Sequence, residues 1–123
     1  IKLNTQYMHT IYFNLKLRRA LTMDEVMRRI KGNRRIALTN KKSSASVFSF
    51  GRDHGIFGRI LNQTVIASNT LTLKGDRELV GMCFTPQDGN SLLSSIAATL
   101  WFLHQDSYEE ALEPLRPYFF TEI

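Results

Sequence analysis

The amino-acid sequence predicts an α+β fold in which helices pack on one face of an antiparallel or mixed β-sheet. A strand-like alternation opens the chain, helical periodicity recurs between later strand-like runs, and two of those runs are joined by a turn-forming segment. The resulting element order is β, α, β, α, β, β, α, α, which is typical of α+β domains. Because 43% of the 123 residues are hydrophobic, the chain can bury one core, and we expect residues 1–123 to form a single domain.

The first strand and the first helix have the clearest signals. From Met8 to Leu17 the apolar residues occupy alternate positions, which is the period of a strand with one buried face. Thr22 and Glu25 have the spacing of a capping box, in which each side chain satisfies a free amide at the start of a helix. Apolar residues at helical spacing follow, and Gly32 is expected to end this helix.

The middle of the chain predicts a second strand and helix and then a hairpin. In chain order these are a short strand at 36–39, a helix capped by Ser43 or Ser44, and two β-rich segments at 63–73 and 78–84. Between the two β-rich segments lies Lys74-Gly75-Asp76-Arg77, whose Gly and Asp favour a tight reversal. We therefore expect the two segments to pair as an antiparallel hairpin.

A long helix is predicted after this hairpin. The polar run 87–91, which follows Pro86, is expected to break the last strand and to offer helix caps. Apolar residues then repeat at helical intervals as far as Leu103, and we assign their side chains to the hydrophobic core. These residues are Leu92, Leu93, Ile96, Ala97, Leu100 and Trp101.

The tail of the chain, residues 104–123, predicts a further helix and is rich in aromatic residues. Residues 108–115 fit a short helix, which Pro114 and Pro117 are expected to stop. The aromatic residues 118–120 follow, and they are interpreted as apolar anchors or as an interface.

Charge is distributed unevenly along the chain. The net charge is +5, and Lys and Arg concentrate in residues 16–19, 28–35 and 41–42, whereas residues 105–123 are acidic. A basic surface of this kind suits solvent, an acidic partner or a phosphorylated ligand. It can also bind nucleic acid, but the basic helical run has no interleaved aromatic residue on which a base would stack. We therefore do not expect nucleic acid to be a partner.

The composition argues against several classes of protein. A single cysteine, Cys83, cannot form an internal disulfide, and His9, His54 and His104 do not have the spacing of metal ligands. No apolar run approaches the roughly 20 residues that cross a bilayer, and no secretory signal is recognisable. We expect a soluble, cytoplasmic protein without a metal and without membrane contact. Since the chain begins at Ile1 and enters a strand soon afterwards, we expect it to be a piece of a longer protein.

Several short motifs in chain order resemble glyceraldehyde-3-phosphate dehydrogenases, most closely those of the archaeal type. The run Thr5-Gln6-Tyr7-Met8-His9-Thr10 is similar to the Thr-Thr-x-Met-His segment that opens a strand in that family. The family continues with a capped helix and a strand, then with a Ser-rich helix start that leads to Arg-Asp-x-Gly, here Arg52-Asp53-His54-Gly55. A hairpin and a turn before the last helix complete the likeness, which covers residues 5–103.

The resemblance implies a fold like the C-terminal catalytic domain of these enzymes and a role in their reaction. The family oxidises a small phosphorylated aldehyde with NAD or NADP, which a separate Gly-rich domain binds, and it works as a homo-oligomer. His9 matches the catalytic base. Gln87, at the turn before the last helix, matches the position of a residue that contacts the nicotinamide. The chain would then be an inactive fragment of an aldehyde dehydrogenase.

The chain departs from the family in what it lacks. No cysteine precedes His9, where the family has its nucleophile, and no Gly-x-Gly-x-x-Gly sequence marks a dinucleotide-binding domain. Cys83 lies between apolar neighbours on a strand, which favours a structural role. Three simpler readings therefore remain open: His9 is a core histidine, Gln87 only caps a helix, and the chain is a non-catalytic interaction or oligomerisation module that has kept the dehydrogenase sheet.

Overall fold

The computed structural model describes residues 8–55 and 62–123, and for residues 88–91 it describes the backbone alone. The strands are β1 (Met8–Lys16), β2 (Ile36–Thr39), β3 (Thr64–Ala67), β4 (Thr72–Lys74) and β5 (Glu78–Pro86). The helices are α1 (Met23–Lys31), α2 (Ser44–His54), α3 (Gln87–His104) and α4 (Tyr108–Ala111). This arrangement confirms an α+β fold with a mixed sheet. The predicted details that depend on residues 5–7 or 56–61 lie outside the described residues.

Strand β5 organises the sheet. Its full length pairs antiparallel with β1, from Met8 opposite Pro86 to Lys16 opposite Glu78. On its other side β5 pairs antiparallel with β3 and β4, which lie end to end and are separated by a 3-10 turn at Ser68–Thr70. Strand β2 pairs in parallel with β3, so the order is β1-β5-β3-β2 and the described part of β1 is a sheet edge.

The start of α1 follows the predicted capping box. The Thr22 backbone N–H donates to the Glu25 carboxylate at 2.8 Å, and the Glu25 N–H donates to the Thr22 hydroxyl at 3.2 Å. The hydrogen bond from the Thr22 backbone N–H to the Glu25 carboxylate lowers the pKa of Glu25. The helix ends at Lys31 with Gly32 as its C-cap, as predicted.

Helices cover both faces of the sheet, so the prediction that they pack on one face is wrong. Val47 of α2 packs in one core cluster with Ala37, Val65 and Phe84. Residues Val26 and Ile30 of α1 join a second cluster with Leu38, Ile66 and Cys83. Consecutive strand residues point to opposite faces, as Ala37 and Leu38 do, and α1 and α2 therefore lie on opposite sides of the sheet. The cause is that β2 and β3 are apolar on both faces.

The predicted hairpin forms between β4 and β5, and Gly75 supplies the turn with a φ of 61°. The first β-rich segment is interrupted, however, because the 3-10 turn separates β3 from β4. The predicted end of the last strand is confirmed, since β5 ends at Pro86, but the expectation that residues 87–91 cap the next helix is wrong. Helix α3 begins at Gln87, directly after Pro86, whose extended backbone serves as the N-cap without a side-chain hydrogen bond.

The tail does not form the predicted helix of eight residues. Helix α4 spans only Tyr108–Ala111, and a 3-10 turn at Glu113–Tyr118 contains Pro117. We call residues 106–123 the C-terminal strap. The interpretation of its aromatic residues as anchors is confirmed for Phe119, which packs against α3, and for Phe120, which packs on the α2 side of the sheet.

The strap adds a short parallel bridge to the free edge of β2. The Leu38 N–H donates to the Thr121 carbonyl at 3.0 Å, and the Ile123 N–H donates to the Leu38 carbonyl at 2.8 Å. The side-chain amide N–H of the buried Gln63 donates to the Phe120 carbonyl at 2.8 Å. In return, the Phe120 backbone N–H donates to the side-chain oxygen of Gln63 at 2.7 Å. The Gln63 side-chain amide also donates to the Arg34 carbonyl at 2.8 Å, so one carboxamide joins β2, β3 and the strap.

Replacing Gln63 with Ala is expected to lower the free energy of unfolding by about 1–3 kcal/mol, because buried polar groups of the backbone lose their partner. Glu113→Ala is the control, since it removes exposed ion pairs of the same strap and is expected to cost at most about 1 kcal/mol. Urea denaturation of both variants measures the difference. Equal losses would show that the Gln63 hydrogen bonds do not fix the strap.

Candidate functional site

His9, the predicted catalytic base, lies near the start of edge strand β1 and is exposed. It shares a face of the sheet with Phe13, which packs against the α1 cluster, but His9 lies four residues nearer the start of the strand. The cover that α1 gives to this face does not reach His9. The alternative that His9 is a buried core histidine is therefore wrong, and its imidazole is accessible to a ligand.

Gln87, the predicted nicotinamide contact, is the first residue of α3 and is also exposed. It follows Pro86 directly and so lies at the point where β5 turns into the helix. Its exposed carboxamide can both donate and accept a hydrogen bond. A first-turn position also agrees with the simpler alternative that Gln87 belongs to the helix start, although the N-cap position itself is taken by Pro86.

The strand register brings His9 and Gln87 to the same end of the β1–β5 pair. His9 lies opposite Thr85, which is two residues before Gln87. Strand spacings of about 5 Å across the sheet and about 3.4 Å per residue along it place the two backbones within roughly 10 Å. The His9 imidazole and the Gln87 carboxamide therefore both belong to this end of the sheet.

Cys83 does not belong to this pair of residues. It lies on β5 within the α1-side cluster, with 7% of its surface exposed. Burial raises the pKa of its thiol, and a hydrogen bond with Thr85 offsets this only in part. A nucleophilic cysteine needs the opposite environment, one that favours the thiolate. The structure therefore agrees with a structural role for Cys83.

Cys83 is expected to react slowly with a thiol reagent in the folded chain and fully after denaturation. The physical reason is twofold, since the thiol is both buried and held protonated. Measuring reagent uptake with and without urea at pH 8 checks this. Rapid modification of the native chain would contradict the structural role and would reopen Cys83 as a nucleophile.

The basic surface is partly neutralised within the chain. Arg34 forms an ion pair with Glu113 at 2.6 Å, and Arg35 forms one with Glu109 at 3.4 Å. Both acidic partners belong to the C-terminal strap, so the charge asymmetry of the sequence is in part an intramolecular contact. Lys41 and Lys42 do not take part in these ion pairs with the strap. Lys41 and Lys42 border a cavity of about 540 Å³ on the α2 side of the sheet, which neither His9 nor Gln87 lines.

Several exposed apolar residues were missed or misassigned by sequence reasoning. Trp101, assigned to the core, is 53% exposed, and its neighbour Phe102 is 80% exposed. Ile11 and Leu15, assigned to the buried face of β1, are 44% and 49% exposed. The helical period identified the buried side of α3 correctly through Leu93 and Ala97, but Trp101 lies at the margin of that side, near the end of the helix.

Among the described residues, none of the helices combines the length and apolar character needed to cross a membrane. In the same part of the chain, no group of three or more His, Cys, Asp or Glu side chains is placed so that it could bind a metal ion.

Comparison with protein-family models, curated proteins and solved structures gives no match to the chain. The likeness to glyceraldehyde-3-phosphate dehydrogenases therefore rests on the motifs and remains a prediction. The structure itself shows an α+β fold with a mixed sheet, and His9 and Gln87 are exposed at one end of that sheet.

Proposed function

We propose that this chain is part of the catalytic domain of a nicotinamide-dependent aldehyde oxidoreductase similar to the glyceraldehyde-3-phosphate dehydrogenases. The observation that carries the proposal is the exposure of His9 and Gln87 at the same end of the β1–β5 pair. These are the two positions that the sequence motifs select. The chain does not act alone, because the nucleophile and the dinucleotide-binding domain are supplied by other parts of a larger, cytoplasmic protein.

His9 is the general base in this proposal. Addition of a thiol to an aldehyde carbon gives a hemithioacetal, with the thiol proton ending on the new hydroxyl. That hydroxyl proton must leave as the carbon is oxidised, and an exposed imidazole is suited to accept it. Cys83 is too buried to be that thiol, so the attacking sulfur comes from outside the chain.

Gln87 orients the cofactor in this proposal. Its carboxamide can pair with the carboxamide of the nicotinamide ring, and its place beside the His9 end of the sheet suits that contact. In this proposal Gln87 is the residue of the described chain that would contact NAD or NADP. When bound, the nicotinamide accepts the hydride that the aldehyde carbon releases.

The test is an assay of the intact protein with a small phosphorylated aldehyde, inorganic phosphate and either NAD or NADP. Aldehyde-dependent reduction of the nucleotide that requires phosphate supports the proposal, and the ratio of kcat/KM values identifies the preferred nucleotide. Absence of nucleotide reduction in a folded protein that contains this chain would reject it.

A second candidate function is an interaction or oligomerisation module. The observation in its favour is that edge strand β1 exposes apolar side chains: Ile11 is 44%, Tyr12 61% and Leu15 49% exposed. An unpaired edge of this kind can pair with another chain, and a homo-oligomer is also expected of the dehydrogenase. Light scattering of the wild type and of Tyr12→Lys tests the candidate, because association through β1 should weaken when a charge is added at its centre.

A further inference from the structure

The C-terminal strap is held on the sheet by contacts that are separate from its covalent link to α3. Gln63 holds its backbone at Phe120, Arg34 and Arg35 pair with its Glu113 and Glu109, and β2 forms a parallel bridge with its last residues. Leu112 attaches the strap to α3, because this residue is only 1% exposed and packs against Leu93 and Ala97 of the helix. A strap from another molecule would satisfy the same contacts equally well.

The link between α3 and the strap is strained. Gln105, which follows the last residue of α3, has φ 25° and ψ −82°. It has the only positive φ found at a non-glycine position in residues 8–55 and 62–123. A side chain in this region clashes with its own backbone, and such conformations persist only where surrounding contacts enforce them. In the closed chain, the docked strap is what enforces it.

The sequence after Gln105 is compatible with a continued helix. Residues 105–113 contain neither Gly nor Pro, and Tyr108–Ala111 is already helical as α4. The link would become helical if His104, Gln105 and Ser107, whose backbone angles are not those of a helix, adopted helical values. Helix α3 would then run from Gln87 to the neighbourhood of Pro114, where the proline would end it. The strap would then leave its own sheet and project away from it.

The end of α3 exposes an apolar surface directly before this link. Trp101, Phe102 and Leu103 are 53%, 80% and 64% exposed. A shallow, open depression is lined by Trp101 of α3 and Tyr108 of the strap, so the strap leaves this end of the helix uncovered. A second extended helix lying beside the first would cover these side chains.

We propose that two copies of this chain exchange their C-terminal straps, each α3 continuing through Gln105 as one helix whose strap docks on the partner's sheet. The exchange keeps every strap contact of the closed chain, removes the strained backbone at Gln105 and brings the exposed ends of the two α3 helices together. A short connection under strain is the feature that favours such an exchange.

Substitutions at Gln105 separate the closed and exchanged forms. Gly tolerates a positive φ and weakens a helix, so Gln105→Gly favours the closed monomer on both counts. Ala keeps the strain of the closed form and favours the helix, so Gln105→Ala favours the dimer. Light scattering over a concentration series should show a dimer dissociation constant that is about tenfold or more lower for Gln105→Ala than for Gln105→Gly. Equal constants, or the opposite order, would overturn the proposal.

Reversing the charges of the strap contact tests the exchange itself. One variant carries Arg34→Glu with Arg35→Glu, and the other carries Glu109→Arg with Glu113→Arg. Each variant alone places like charges between body and strap, whereas in a mixed dimer with exchanged straps both contacts are again of opposite charge. We expect a one-to-one heterodimer after the two variants are unfolded and refolded together.

Circular dichroism establishes that each charge-reversed variant is folded. If both are folded and the mixture still contains only monomers or unmixed species, the strap is not exchanged and the proposal fails. If either variant does not fold, the Gln105 pair decides alone. Association that persists in Gln105→Gly but is abolished by Tyr12→Lys would assign the dimer to β1 and would likewise reject strap exchange.

Discussion

His9→Asn in the intact protein is expected to lower kcat for aldehyde oxidation by a factor of about 10²–10⁴, the usual contribution of a general base. Asparagine keeps hydrogen-bonding atoms near the position of the ring but cannot accept a proton at neutral pH. Because His9 is exposed near the start of an edge strand, the substitution removes little packing. The thermal unfolding temperature should therefore stay within about 2 °C of the wild type.

The matched control is His104→Asn, which changes another exposed histidine at the last position of α3, at the opposite end of that helix from Gln87. Its kcat should equal that of the wild type. The pH profile provides a second reading, since the limb that reports deprotonation of a base should be lost in His9→Asn and retained in His104→Asn. If both variants keep full activity, His9 is not the base.

Leu112→Ala is expected to lower the free energy of unfolding by about 2–5 kcal/mol, which is the range for truncating a fully buried leucine. Leu112 is 1% exposed and joins Leu93 and Ala97 of α3 to the strap. Leu112 is the one fully buried strap residue in this cluster among the described residues, so a cavity at this point loosens the packing of the strap on α3. The strap should consequently become sensitive to proteolysis while the sheet remains protected.

Phe102→Ala serves as the control for Leu112→Ala, because it truncates a larger side chain that is 80% exposed. Its effect on the unfolding free energy should stay within about 0.5 kcal/mol. Urea denaturation at low protein concentration, where the chain is monomeric, compares the two variants. A small loss for Leu112→Ala would mean that the strap contributes little to the stability of the domain.

The elements with local signals could be predicted from the sequence. The capping box at Thr22 and Glu25, strand β1 and the Gly75 turn each depend on a few neighbouring residues, and all three are present in the structure. The buried face that the alternation predicted for β1 is wrong in part, because Ile11 and Leu15 are exposed and only Phe13 packs against the α1 cluster. The start of α3 was missed because Gln87-Asp88-Gly89-Asn90 reads locally as a turn. The helix nevertheless begins there, at the point where Pro86 ends the strand.

The layering of the helices could not be read from local patterns in the same way. A single buried face was inferred from β1, where polar and apolar residues alternate, and it was extended to the whole sheet. Strands β2 and β3, however, bury consecutive residues such as Ala37 and Leu38, which requires cover on both faces. A short, continuously apolar strand is the signal that would have predicted the second layer.

The long-range contacts of the strap also lay beyond sequence reasoning. The pairing of Gln63 with Phe120 joins residues that are 57 positions apart. No periodicity connects them, and the complementary charges of residues 34–35 and the acidic tail suggested an external partner instead. For the candidate site, the sequence predicted the two residues His9 and Gln87. Their exposure and their common location at one end of the sheet could be seen only from the structure, which gives the register of β1 against β5.

The most direct test of the proposed site is to observe His9 and Gln87 by nuclear magnetic resonance while the intact protein binds its nucleotide and an aldehyde analogue that does not react. We expect the His9 imidazole and the Gln87 side-chain amide to shift on binding, while the rings of His54 and His104 remain unchanged. Ligand binding that leaves the His9 and Gln87 signals unmoved would contradict the assignment of this end of the sheet as the site.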